Sequence, residues 1–233
     1  MSNEQDKIST LIVDIYKSRK HLLEMLEDRG YNVDHLKNYT SEEISIMARE
    51  HLTNKFNMSD EIGPLDILLE KKNNKSLTEK IYVKYKLENK FKGTTQSKEQ
   101  IITIFDKYIT KKDTLIIINN NKLLMSVGIK YKPEEDFVND LYTTKNYFIQ
   151  VFGIENFKFN ISHHDTVPKH RVLSIEETKN INTINNCNTK QLPTIKRDDP
   201  MAKYIGLRLN QVCEITRNNI TTGSSILYRI CEH

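Results

Sequence analysis

The sequence has no tryptophan, only seven glycines and only five prolines in 233 residues. Glycine this sparse leaves little material for loops that wrap phosphate with backbone N–H groups, and no Gly-rich phosphate loop occurs. No GxSxG elbow for a nucleophilic serine occurs either. The three cysteines stand at 187, 213 and 231 with no CxxC pair, which excludes a locally built zinc knuckle or dithiol redox motif. Cys213 and Cys231 sit in alternating apolar runs and read as small core residues. The odd cysteine count, and a polar Met1–Lys7 in place of an apolar leader, are expected of a reducing compartment. In that setting the Asn-x-Ser/Thr matches at Asn38, Asn57, Asn160 and Asn219 carry no meaning as glycosylation sites. No apolar run approaches the ~20 residues that span a bilayer, so no membrane partner is expected. A net charge of +4 permits peripheral contact with nucleic acid. It falls short of the dense basic patch of a dedicated DNA-binding module.

What is present is a soluble composition, 37% hydrophobic and 28% charged. Ile8, Leu11, Ile12, Ile15, Leu22, Leu23 and Leu26 form one apolar stripe at helical spacing, and Gly30 is placed to end that helix. Thr40 and Glu43 make a capping box for a second helix with Ile44, Met47, Ala48 and Leu52 on its apolar face. The period then changes. Leu65, Ile67 and Leu69, and after them Ile81, Val83, Tyr85 and Leu87, predict two antiparallel strands joined by a polar turn from Lys71 to Ser76. Ser97 and Gln100 suggest a capping box before the helical face Ile101, Ile104, Phe105 and Tyr108. Leu115 to Ile118 has the look of a buried central strand. Pro133, Glu134 and Glu135 open a further helix, and Phe157, Phe159 and Ile161 alternate as one more strand. The expectation is an α/β N-terminal domain, residues 1–153, with a mixed sheet and flanking helices in a nuclease-like architecture.

Residues 154–233 read as a small α+β C-terminal domain. Ser174 and Glu177 cap a short helix. Asp198 and Asp199 before Pro200, with Gly206 after Ile205, delimit a helix of about two turns or fewer. Val212–Arg217 and Ser225–Cys231 predict two strands around a turn-rich Asn218–Gly223. From Lys190 onward, Lys190, Lys196, Arg197, Lys203, Arg208, Arg217 and Arg229 outnumber Asp198, Asp199, Glu214 and Glu232. This net positive charge suits either an ordinary solvated face or a surface against an acidic partner or phosphates.

Three groups could carry chemistry. Asp198 and Asp199 form a carboxylate pair, but Pro200 directly after them favours a helix cap over catalysis. His163, His164, Asp165 and His170 are metal-ligating types at irregular spacing around the extended Val167-Pro168, which favours a hydrogen-bonded turn. Asp66 with Glu88-x-Lys90 sketches a metal-dependent nuclease site of two carboxylates and a lysine, a loose pattern in a Lys- and Glu-rich chain. No catalytic residue, cofactor site or metal site is therefore assigned.

One set of residues is more specific. His164-x-x-Val167-Pro168-x-His170 is followed by Ser174-x-Glu176-Glu177. Then come Leu192-Pro193-x-Ile195 and Asp199-Pro200-x-Ala202-x-Tyr204-x-Gly206. Gln211-Val212, Ile215-x-Arg217, Thr221-x-Gly223 and Tyr228-Arg229 complete the series. In that order they resemble the C-terminal domain of RNA polymerase subunit 5 and of its archaeal counterpart, over about the last 75 residues. Lys20 to Tyr31, with Asp28-Arg29-Gly30-Tyr31, resembles the end of the first helix of the eukaryotic form, a half of the protein that the archaeal counterpart lacks.

The resemblance implies a non-catalytic subunit of a DNA-dependent RNA polymerase. It implies a C-terminal assembly domain docked on the largest subunit and an N-terminal jaw near downstream double-stranded DNA. It also implies other polymerase subunits as partners, and His164, Val167, Pro168, His170, Leu192, Pro193, Asp199, Pro200, Ala202, Tyr204, Gly206, Gln211, Val212, Arg217, Thr221, Gly223, Tyr228 and Arg229 as the assembly motif. Asn210 replaces the family's glycine before Gln-Val. Arg217-Asn218-Asn219-Ile220 replaces an Arg-Pro-Ser-Glu loop, and Asn120–Ser126 carries Leu123 and Leu124 in place of small residues. This drift, with abundant Lys, Asn and Ile, points to a large DNA virus as source. The expected location is intracellular: the nucleus if cellular, the virion or host cytoplasm if viral.

Overall fold

The computed structural model describes residues 2–53, 61–72, 78–87, 95–120, 133–219 and 223–232. Expectations that fall on Asn73–Ser76, Glu88, Lys90, Leu123, Leu124, Ile220 and Thr221, and on the side chain of Ile8, lie outside the described residues. The chain divides into two compact units, Met1–Phe159 and Asn160–His233. The division comes a few residues later than the change of pattern after Gly153, because Ile154–Phe157 forms a 3-10 turn that packs on the first helix. That turn replaces the strand expected from Phe157, Phe159 and Ile161, and a second 3-10 turn covers Ile161–His163. Among the described residues no helix is long and apolar enough to cross a membrane.

In the first unit, α1 (Ser2–Asp28) ends as its stripe predicts. Ile12, Ile15, Leu22, Leu23 and Leu26 are buried, and Gly30 adopts φ 86°. There the Gly30 and Tyr31 amides donate to Glu27 and Leu26 carbonyls, closing the helix. A single turn, α2 (Asp34–Lys37), leads to α3 (Ser41–Thr53), whose Thr40–Glu43 capping box is formed in both directions. The sheet comprises β1 (Ile67–Lys72), β2 (Thr78–Lys86), β3 (Thr114–Asn119) and β4 (Phe148–Gly153) in that order. β1 is antiparallel to β2, while β3 runs parallel to both β2 and β4. Lys71 and Lys72, expected in a turn, extend β1 and pair with Glu79 and Thr78.

Every residue of β3 is buried, as its continuous apolar run requires. One face packs under α4 (Thr95–Lys107) and α5 (Pro133–Lys145). Tyr82, Leu115, Ile117 and Ile149 meet Ile101, Ile104, Phe105, Phe137 and Leu141 there. Phe105 and Tyr147 stack with ring centroids 3.9 Å apart. α4 begins at Thr95, so Ser97 lies inside its first turn and not at the cap position expected for it.

One buried polar cluster of this unit is organised around a carboxylate. The Asp66 side chain is fully buried. Its Oδ2 accepts from Gly63 N (2.8 Å), Tyr82 Oη (3.1 Å) and Lys84 Nζ (2.8 Å). Its Oδ1 accepts from Tyr85 N at 2.9 Å. Lys84 also donates to the Glu61 carbonyl at 2.6 Å. Burial, and then the adjacent Asp66 charge, push the Tyr82 phenol well above its ordinary range, so it stays a donor. Buried Arg19 donates to the Leu65 carbonyl at 2.8 Å, and the His51 ring meets the Tyr85 carbonyl at 3.0 Å.

Removing one partner of a buried, hydrogen-bonded charge pair costs about 3–5 kcal/mol. Asp66→Ala is therefore expected to destabilise the first unit by about that amount, measured by urea unfolding of the full chain. The paired change Asp66→Leu with Lys84→Met should recover much of it, because no lone charge is left behind.

Candidate assembly surface on the second unit

The second unit is built on β5 (Lys169–Val172), β6 (Thr194–Lys196), β7 (Val212–Asn219) and β8 (Gly223–Glu232), in the spatial order β5-β7-β8-β6. β7 and β8 form a long antiparallel ribbon. β5 pairs with β7 antiparallel, and β6 with β8 parallel. β5 and β6 are four and three residues long, too short to show a period in the sequence. One face carries Ile195, Ala202, Leu207, Cys213, Ile215 and Cys231. The other carries Leu173, Val212 and Ile230, with Ile181, Leu192 and Tyr228 packed against them. Burial pushes both the Cys213 and Cys231 thiols up to about 11, which leaves them protonated core groups.

The Asp-Pro…Gly pattern gives α7 (Pro200–Ile205), reached after α6 (Ile175–Ile184). Asp199 Oδ1 accepts from the Met201 and Ala202 amides at 2.9 and 3.2 Å, so this acid is a cap. Asp198 lies 3.4 Å from Lys203 on the surface. At the other end Gly206 has φ 69°, and the Leu207 and Gly206 amides return to the Ala202 and Lys203 carbonyls. Tyr204 is buried with its hydroxyl 3.1 Å from Ser162 Oγ. Asn210, where the family glycine was expected, takes φ 65°, a conformation asparagine tolerates. The Gln211 side chain then accepts from the Arg208 amide at 2.9 Å and its carbonyl accepts from Cys231 N. Together these bonds fix the register of β7 on β8.

The motif residues therefore divide by what they touch. Asp199, Pro200, Ala202, Tyr204, Gly206, Gln211 and Val212 make the fold. Pro193 accepts from Ile230 N, and Arg229 donates to the Thr194 carbonyl at 3.0 Å, holding β6 to β8. Leu192 and Tyr228 seal the second face. His164, Val167, Pro168 and Arg217 instead line a groove of about 720 Å³, with His163, Lys169 and Asn218. Gly223 is exposed at the start of β8, and Thr221 lies outside the described residues.

The histidines are placed by their loop. His164 Nδ1 accepts from the Thr166 amide, and His170 Nδ1 donates to the Pro168 carbonyl at 2.7 Å. Among the described residues no group of three His, Cys, Asp or Glu converges as a metal site would require. The groove offers cationic and imidazole groups against a single acid, Asp165.

Sequence reasoning missed Arg171, which bridges Glu177 (2.6 Å) on α6 and Glu214 (3.3 Å) on β7. Only the β5–β7 pairing reveals that triad. Arg171, followed by the Ser174 amide, holds the Glu177 carboxyl down to about 2. The folded value lies below the unfolded one, so its stabilising effect is present above pH 4.5 and fades as pH falls toward about 2. Comparing native chain with Glu177→Gln by thermal melting from pH 6 down, the native advantage should shrink across that window; the pair is half exposed, so the advantage is small.

The caps yield a second expectation. Asp199→Ala should cost about 1 kcal/mol. Gly206→Val should cost more, because a β-branched residue is strained at positive φ. Denaturant titration of both variants measures this.

Comparison with known proteins gives the same division. Residues 159–231 match the family model described as RNA polymerase Rpb5, C-terminal domain. DNA-directed RNA polymerase subunit Rpo5 of Archaeoglobus fulgidus is 45% identical over 73 residues, 31% of this chain and 96% of the relative. Its counterpart from Sulfolobus acidocaldarius is 40% identical over 72 residues, 31% of this chain and 86% of the relative. The similarity extends through both units in DNA-directed RNA polymerases I, II, and III subunit rpabc1 of Dictyostelium discoideum, 29% identical over 213 residues, 91% of this chain and 94% of the relative. At 45% identity across 96% of the Archaeoglobus relative, this chain belongs to the RNA polymerase Rpb5 family.

Proposed function

We propose that the second unit docks this chain onto the largest subunit of a DNA-dependent RNA polymerase, and that the first unit forms a jaw beside downstream double-stranded DNA. The chain serves transcription as a non-catalytic polymerase subunit among other subunits. The observation that carries the docking half is the extent of the archaeal relatives. They consist almost wholly of the segment shared with residues 159–231, so the means of joining a polymerase is sought in that segment. The cation-bearing groove at His164, Lys169 and Arg217, and the exposed end of the β7–β8 ribbon, are the parts of this unit offered to a partner.

The jaw half rests on the first unit's presence in the Dictyostelium relative. Contact with phosphates of any sequence needs only scattered Lys and Arg. The likeness of the first unit to a nuclease architecture belongs to the same proposal, supported by its mixed sheet with one antiparallel edge strand. Nuclease chemistry is not part of it: all four donors around Asp66 are the protein's own. The site of action is intracellular, in the nucleus of a cellular source or in the virion or host cytoplasm of a viral one.

Residues 160–233 alone should capture the largest subunit in a pull-down, and residues 1–159 alone should not. Polymerase assembled with only the second unit should hold downstream DNA less firmly. Its salt dependence should be shallower by about 0.9 in log–log slope for each phosphate that the jaw no longer neutralises. Stable capture of the largest subunit by the first unit would reverse the assignment.

A further inference from the structure

The β7–β8 ribbon is longer than the strands that flank it. β6 covers the outer edge of β8 only from Ile230 to Glu232. From Gly223 to Arg229 that edge has no neighbouring strand among the described residues, and Gly223 to Leu227 are all exposed. Which backbone groups point outward follows from the bonds at the covered end. Ile230 donates to Pro193, away from β7, whereas Cys231 donates to Gln211, towards it. The register from Val212↔Ile230 to Asn219↔Gly223 is one-to-one without a bulge. Alternation along an antiparallel strand then directs the N–H and C=O of Ser224, Ile226 and Tyr228 outward, and those of Ser225 and Leu227 to β7.

Sheet edges of this kind are normally protected by charges, prolines, bulges or brevity. The two strands at the margins of this sheet are protected: β5 reads Lys-His-Arg-Val, and β6 has three residues. The open stretch of β8 reads Ser-Ser-Ile-Leu-Tyr, with no charge, no proline and no bulge. Ile226 is 53% exposed on one face and Leu227 39% exposed on the other. An unguarded edge with apolar side chains on both faces is the surface that β-strand addition uses. The electrostatics select the strand. Arg229 and, by its pairing with Ser225, Arg217 project on the Leu227 face, and no acid occurs between Ile215 and Cys231.

We propose that β8 from Ser224 to Tyr228 receives an extended, acid-bearing segment of a neighbouring polymerase subunit as a fifth strand of this sheet. The inference rests on the docking reading above and adds its mode: main-chain hydrogen bonds to Ser224 and Ile226, with Ile226 and Leu227 clasping the incoming strand. The edge adjoins Tyr228-Arg229, so it is continuous with the shared motif.

The test is site-resolved amide hydrogen exchange on the full chain, free and in reconstituted polymerase. In the free chain Ser224 and Ile226 should exchange faster than Ser225 and Leu227. In the polymerase Ser224 and Ile226 should slow by about tenfold or more, the effect of gaining a ladder hydrogen bond. Ile226→Pro removes the outward N–H without touching a bond to β7, and proline is tolerated at such an edge position. It should weaken incorporation about tenfold more than Ile226→Ala while leaving the free chain's melting temperature unchanged. Incorporation with Ser224 and Ile226 still exchanging fast overturns the strand-addition mode and leaves docking standing. Failure of the native chain to join the polymerase overturns both. Protection already present in the free chain, with a dimer by light scattering, assigns the edge to a second copy and overturns the proposal.

Discussion

A charged carboxylate placed inside an α/β core must be answered by donors from every side, and in the first unit that requirement falls on Asp66. Its four donors come from the segment before β1 and from three residues of β2. Neighbouring groups are drawn to the same place: Leu65 O holds Arg19 of α1, and Tyr85 O holds His51 of α3. A buried ion pair is a weak source of net stability, since desolvation consumes most of the Coulombic gain. Its effect is on uniqueness: any shift of β2 by one residue would strand two charges in an apolar core. With an ammonium group, a phenol and two amides already on its oxygens, this carboxylate would have to give up one of them to take a metal.

Where the sequence was legible, the signal was local chemistry with one structural solution. Thr40–Glu43, Ser174–Glu177, Asp199-Pro200 and Gly206 each name a helix end, and each end is where they place it. Continuous apolarity at Leu115–Ile118 identifies the buried strand. The failures have physical causes too. β4 gives no signal because its mixture of Phe, Gln and Val has no period of two once both faces are buried. Alternation of Ile81, Val83 and Tyr85 describes a half-wet strand, but Tyr82 and Lys84 are buried as well, for a partner, Asp66, that lies outside the window of any local pattern. β5 and β6 are too short to be seen without their neighbours.

The shared motif of the second unit was legible as a series but not as a set of roles. Most of its residues hold their own fold: caps, a left-handed turn, a register clamp. Fewer face outward, and those divide between the groove beside β7 and the bare edge of β8. A motif recognised in sequence thus mixes residues bonded within the fold with residues left at its surface. Only geometry separates them. Asn210 illustrates the first kind: it meets a backbone requirement that glycine also meets, so the exchange leaves the turn intact.

The strand order β5-β7-β8-β6 has a consequence in time as well as in space. The two central strands are joined by a short connection and close with little loss of chain entropy. The flanking strands join across much longer stretches of chain and have only that ribbon to pair with. α7, at six residues, is too short to persist before it packs. β6 therefore has no strand to pair with until β8 is made, whereas β5 needs only β7. The sheet of this unit is complete only with its last strand in sequence, while the sheet of the first unit is complete at β4.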